Sequence, residues 1–157
     1  MSLKQDAEQG DAEAQCNLGN AYATGNGVSK NDVEAVKWWR KAAEQGYADA
    51  QFNLGNAYHT GDGVEQDDVE AVKWWRLSAD QGNADAQYGL RKAYSIGEGV
   101  PKNYVEAYAW YNIAAVTVDD AKKARSKFEK SMSQSDIARA QYLSTELSES
   151  IRLKRRP

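Results

Sequence analysis

The sequence predicts an all-α fold, an α-solenoid of stacked helical hairpins, and three observations lead there. A block recurs at a fixed period: AEAQCNLGNAYATGNGV from Ala12, ADAQFNLGNAYHTGDGV from Ala48 and ADAQYGLRKAYSIGEGV from Ala84, each 36 residues after the last. Residues 12–47 and 48–83 agree at 25 of 36 positions. A period of this size marks one supersecondary unit that buries its apolar face only against copies of itself. Within a block the apolar residues fall three and four apart, and no alternating apolar–polar run suggests a strand. Glycines stand at the joints, and the chain holds only two prolines.

The first helix of each repeat, helix A, is expected over 11–24, 47–60 and 83–96. In the second copy Ala50, Leu54, Ala57 and Tyr58 recur at i, i+4, i+7 and i+8, one face of a helix. Gly25, Gly61 and Gly97 stop these helices, because glycine enters the left-handed conformation a helix end requires. A second glycine follows (Gly27, Gly63, Gly99), then a valine expected to turn into the core. Helix B starts at the N-cap residues Asn31, Asp67 and Asn103, and Glu34, Glu70 and Glu106 read as capping-box glutamates three positions on. It carries Val33, Val36 and Trp39 as an apolar stripe and closes at Gly46 and Gly82. Ala12, Ala14, Ala21 and Ala35, with their copies, let neighbouring helices approach while Trp and Tyr fill the gaps.

Beyond 118 the repeat register dissolves. A short helix is expected over 120–131, then a longer one capped by Ser133, with Asp136 three residues on and Ile137, Ala140, Leu143, Leu147 and Ile151 as its docking stripe. At the other end, DAEQG at 6–10 matches AAEQG at 42–46, so the chain is expected to begin inside a preceding repeat, with a removed leader equally compatible. The expected organisation is one domain over 1–157. Residues 1–11 close a preceding repeat helix, 12–47, 48–83 and 84–118 form three repeats, and 119–157 form a C-terminal helical cap.

The composition is that of a globular domain, with 157 residues, 41% hydrophobic and 27% charged. No apolar run reaches the roughly 18 residues of a membrane span, so no transmembrane segment is expected. Cys16 is the only cysteine, which leaves no disulfide framework and no thiolate metal cluster. Residues 1–120 carry 10 Lys/Arg and 19 Asp/Glu, a net of −9, whereas 121–157 carry 10 and 4, a net of +6.

The pattern A-x-A-Q-x-x-L-G-x-A-Y-x-x-G-x-G-V followed by A-V-x-W-W-x-x-A-A-x-Q-G resembles the Sel-one-like repeat (SLR), a relative of the tetratricopeptide repeat, over about residues 4–118. The stretch from AYAWYNIAAV to the final helix is similar to the close of many bacterial SLR proteins. The resemblance implies a right-handed solenoid with a helical cap. It also implies a non-catalytic scaffold that binds a protein or peptide without a cofactor, with a periplasmic or exported location ahead of a cytoplasmic one. The tetratricopeptide layout, carried over residue by residue, places a concave stripe on Glu13, Cys16, Asn20, Ala23 and Thr24, on Asp49, Phe52, Asn56, His59 and Thr60, and on Asp85, Tyr88, Lys92, Ser95 and Ile96. The copies themselves differ most along this stripe, at Cys16/Phe52/Tyr88 and Ala23/His59/Ser95, while the Ala, Leu and Tyr core positions do not change.

The expected binding residues are therefore Glu13, Asn20, Asp49, Phe52, Asn56, His59, Asp85, Tyr88 and Lys92. Asn20 and Asn56 both donate and accept, so each suits a ligand's peptide groups. Phe52 and Tyr88 supply apolar anchors. Glu13, Asp49 and Asp85 favour a neutral to basic ligand, and Lys92 is the only cation in the stripe.

Other readings are weaker. Trp38-Trp39, Trp74-Trp75 and Trp110-Tyr111 suit core packing, because adjacent helical residues point about 100° apart into two different contacts. The G-x-G loops follow helices, unlike a dinucleotide fingerprint. The cluster Asp62, Glu65, Asp67, Asp68 and Glu70 lacks calcium-loop spacing and reads as a solvated loop. Cys16 and His59 lie on neighbouring A helices, two turns apart and more than about 10 Å from each other, too far for a nucleophile–base pair. Lys122, Lys123, Arg125, Lys127 and Lys130, with Arg152, Lys154, Arg155 and Arg156, read as solvated helix faces before a nucleic-acid or membrane contact. Cysteine-rich SLR relatives have been described as penicillin-binding or β-lactamase-like. The paired cysteines are missing here, and no Ser-x-x-Lys falls on a helix-A face; residues 126–129 end in glutamate.

Overall fold

A computed structural model describes residues 2–114 and 118–156, and every regular element among them is an α-helix. The chain falls into two compact units, Met1–Ser78 and Ala79–Pro157. The first holds α1 (Leu3–Glu8), α2 (Ala12–Thr24), α3 (Asp32–Glu44), α4 (Ala48–Thr60) and nearly all of α5 (Asp68–Ala79). The second holds α6 (Ala84–Ile96), α7 (Tyr104–Ala114), α8 (Val118–Glu129) and α9 (Gln134–Lys154). The close of the third repeat, expected at 118, runs through 115–117, outside the described residues. Among the described residues no helix is long and apolar enough to cross a membrane.

The caps fall where side-chain chemistry predicts. Asp11 and Asn83 accept from the N–H groups of Ala14 and Ala86, and Asn31, Asp67 and Asn103 accept from those of Glu34, Glu70 and Glu106. Ser133 caps α9 through the Asp136 N–H at 3.0 Å. Helix A ends in left-handed glycine each time, with φ of 76°, 79° and 75° at Gly25, Gly61 and Gly97. Gly63 is constrained a second way: a Cβ there would lie 2.2 Å from the Asp32 carbonyl oxygen. Only glycine lets the second loop rest on the start of α3.

Two expectations need correction. The capping boxes expected at Glu34, Glu70 and Glu106 give way to a backbone bond, because the N–H groups of Asn31, Asp67 and Asn103 donate to the Tyr22, Tyr58 and Tyr94 carbonyls, each at 2.9 Å. The carboxylates of Glu34 and Glu70 pair instead with Lys37 at 2.8 Å and Lys73 at 2.9 Å. A capping box does form, at Ser2 and Gln5. Val33 is also not part of the apolar stripe and is 52% exposed. The buried face of α3 runs through Ala35, Val36, Trp38, Ala42 and Ala43, and at 100° per residue Val33 stands roughly 140° from its centre.

A polar device recurs inside the apolar packing. Buried Gln15, Gln51 and Gln87 each donate Nε2 to a carbonyl eight residues back, those of Ala7, Ala43 and Ala79, at 3.1, 3.2 and 3.2 Å. Each bond ties the start of one helix A to the last turn before it, and it gives α1 the same geometry as the end of a helix B. In the first unit Leu18 and Trp38 pack with Ala7 and Ala14, and Leu54 and Val36 pack with Cys16 and a set of alanines. In the second unit Phe128 is held by three tyrosine rings, Tyr104, Tyr108 and Tyr111, at 6.1, 5.6 and 6.0 Å. Ile137, Ala140 and Ile151 bury the α9 stripe as expected, while Leu143 and Leu147 are half-buried.

Candidate functional site

The site in the first unit begins with two glycines that are helical, not turn-forming. A Cβ on Gly19 would lie 2.5 Å from Cδ1 of Trp39, and one on Gly55 would lie 2.5 Å from Cδ1 of Trp75. The Cδ1–Nε1 edge of each indole therefore packs against the backbone of helix A, and its Nε1 reaches the next residue along. Trp39 donates to Asn20 Oδ1 at 2.9 Å and Trp75 to Asn56 Oδ1 at 3.0 Å. Asn20 Oδ1 takes a second bond, from Asn53 Nδ2 at 3.0 Å. Core packing describes Trp38, Trp75 and Trp110, but Trp39 and Trp74 are only half-buried.

These bonds fix which way the amides face. Asn20 Oδ1 accepts two bonds and Asn56 Oδ1 accepts one, so Asn20 offers its NH2 donors alone while Asn56 offers its NH2 and one remaining acceptor site. For Asn20 that is narrower than the donate-and-accept role expected from residue type alone. Asn53 went unnoticed in the sequence, although the signal was there: Asn17 and Asn53 are the same residue in the two nearly identical copies, and Gly89 replaces them in the third.

Asn56 faces a recess of about 290 Å³, lined by Ala23, Trp39, Asn53, Asn56, Ala57 and Thr60, with Lys30, Asp32 and Asp62 as its charged groups. Of the predicted stripe, Ala23, Asn56 and Thr60 line this recess. Asn20 belongs to it indirectly, through Trp39 and Asn53. Asp62 accepts from the Thr60 hydroxyl at 2.8 Å, which fixes one rim. Two carboxylates against one ammonium leave the recess mildly negative.

The remaining predicted residues have separate surroundings. Glu13 and Asp49 are exposed in the first turns of α2 and α4, and Phe52 is half-buried. His59 Nδ1 lies 2.7 Å from Asp68 Oδ1, and its ring packs on Trp75 with centroids 5.4 Å apart. Cys16 is only 2% exposed and faces Asn53 Nδ2 at 4.0 Å. Burial, with help from Asp49 and Glu13, pushes its thiol from 9.0 up to about 11, so it is no nucleophile at neutral pH. In the second unit Asp85 and Lys92 are exposed and Tyr88 is 55% exposed. Several basic residues of the C-terminal helices are paired on their own helix: Arg125 with Glu129, Arg139 with Asp136, and Arg152 with Glu149, whose carboxyl it holds below the usual range.

Comparison with known proteins gives the same architecture. The chain is similar to a Sel1 repeat protein from Oxalobacter formigenes, with 39% identity and a TM-score of 0.70 over 79% of this chain and 95% of that one. It is also similar to a protective antigen present in uropathogenic Escherichia coli strains that displays an SLR fold, with 31% identity and a TM-score of 0.69. That match covers 95% of this chain, which spans about 40% of the length of the antigen. No curated protein matches. The model of the Sel1 repeat matches at 12–47, 48–83 and 84–115, block for block where the internal period begins, and the chain belongs to the Sel1 repeat family.

Proposed function

We propose that the protein is a non-catalytic scaffold whose helix-A face, centred on Asn56, docks a neutral to basic segment of a partner protein. Membership of the Sel1 repeat family supports a protein-interaction role. The observation that carries the finer reading is the indole-held amide. Trp75 fixes the Asn56 carbonyl, so its NH2 is presented to the recess in one orientation and can donate to a ligand's backbone carbonyl without further ordering. Asp32 and Asp62 favour a cation or a peptide N–H beside it. Phe52, His59, Glu13 and Asp49 extend the face along α2 and α4, and Asn20 holds the neighbouring amide in register. In the second unit Asp85, Tyr88 and Lys92 hold the equivalent positions on α6.

Photocrosslinking tests this directly. A photoreactive residue at position 56 is expected to capture a protein ligand, and the same residue at position 37, on the exposed side of α3, is expected to capture far less. Equal capture from both positions contradicts the reading.

A further inference from the structure

The third repeat departs from the first two at one linked set of positions. Where helix A of repeats one and two has Gly-Asn, α6 has Arg91-Lys92, and where helix B has Trp39 or Trp75, α7 has Tyr111. Arg91 stands at the glycine position and lies against the phenol ring that replaces the indole. Its guanidinium carbon sits 4.3 Å from the Tyr88 centroid and 4.3 Å from the Tyr111 centroid. Lys127 reaches the same Tyr111 ring at 5.9 Å. Among the described residues no carboxylate pairs with Arg91, Lys92 or Lys127, whereas Arg125, Arg139 and Arg152 each have one.

An arginine stacked on aromatic rings keeps its in-plane N–H groups outward and loses little entropy when it binds. Its planar fork fits the paired oxygens of a carboxylate or phosphate, and ionised acceptors roughly double the strength of each hydrogen bond. Tyr88, more than half exposed, adds an aromatic surface beside the charge. We infer that Arg91, held between Tyr88 and Tyr111 and supported by Lys92 and Lys127, binds an acidic or phosphorylated side chain of a partner protein. The inference rests on the protein-binding reading above and assigns the second unit a charge preference opposite to that of the Asn56 recess. A short acidic segment is favoured over a nucleic acid because only three cations gather at the site and the chain as a whole carries a net −3.

The test uses fluorescein-labelled peptides in one glycine–serine frame, carrying glutamates, phosphoserines, glutamines or lysines at the same positions, with an oligouridine of equal length. The full chain is expected to bind the glutamate or the phosphoserine peptide at least tenfold more tightly than the glutamine peptide, and the ranking of those two identifies the source of the oxyanion. Arg91→Gly, which restores the residue of the first two repeats, is expected to abolish that preference with helical content unchanged. Arg91→Lys is expected to lose most of it, since the charge stays and the stacked fork goes. Equal binding of the glutamine peptide, an anion preference that survives Arg91→Gly, or oligouridine binding ahead of both acidic peptides overturns the inference. If the glutamine or lysine peptide binds in an Asn56-dependent way and no acidic peptide does, this inference fails while the scaffold reading stands. If no peptide binds at all, both fail.

Discussion

Trp39 and Trp75 show how one side chain can serve packing and recognition together. The ring covers a helical glycine, and the N–H fixes the amide of the asparagine beside it. Trp75→Phe removes the donor and leaves Asn56 Oδ1 without it, at an expected cost of about 1–3 kcal/mol in urea denaturation. Trp74→Phe is expected to cost less, because among the described residues Trp74 Nε1 is buried without an acceptor and its removal strips no partner. Equal costs would argue that ring volume, not the hydrogen bond, matters at both sites. Cys16 gives a pH signature. Its thiol is neutral in the fold and titrates near 11 instead of near 9, so the stability tied to it is complete below about pH 9 and lost as pH rises toward 11. The chain is therefore expected to lose roughly 2 kcal/mol more than Cys16→Ala across that window, read as the difference between their urea midpoints. Below pH 9 a thiol reagent is expected to label the native protein far more slowly than the urea-unfolded chain.

At the scale of the element, the two-glycine loop separates a local demand from a packing demand. Gly27 and Gly63 share a left-handed φ, 77° and 73°, but only Gly63 lies against another backbone, and a Cβ on Gly27 would meet nothing within 4 Å. Gly27→Ala is expected to cost about 1–2 kcal/mol, the local strain alone, whereas Gly63→Ala costs clearly more because the loop must leave α3. A common value for both would mean the loop gives way without cost. Helix bounds were legible in the sequence because caps and glycine stops are local signals repeated three times. The capping boxes misread at Glu34 and Glu70 failed for a nonlocal reason: the carbonyls of Tyr22 and Tyr58 reach the N-cap N–H first. The cage around Phe128 was in principle readable, since Tyr104, Tyr108 and Tyr111 fall at i, i+4 and i+7 on one face of α7. What the sequence of α7 alone does not state is that Phe128 of α8 docks against that face.

At the scale of the whole molecule, repetition is what made the fold and the family legible from one chain, and the same repetition bounds what the sequence can say about function. Periodicity identifies the face whose residues vary between copies, but it does not reveal that Asn20 and Asn56 accept from the indoles or that Arg91 stacks on Tyr88 and Tyr111. Those facts depend on the register between helices, which local sequence does not encode. A scaffold of this kind is expected to show no turnover of nitrocefin, whereas the β-lactamase-like alternative requires it. The central claim, that the helix-A face receives a protein segment, is tested most directly by NMR. A peptide selected from a random library on the purified chain would be titrated into the labelled protein. The account predicts shifts concentrated in α2 and α4 and in the side-chain amides of Asn53 and Asn56. Shifts confined to the outward residues of α3 and α5, with those amides unmoved, would contradict it.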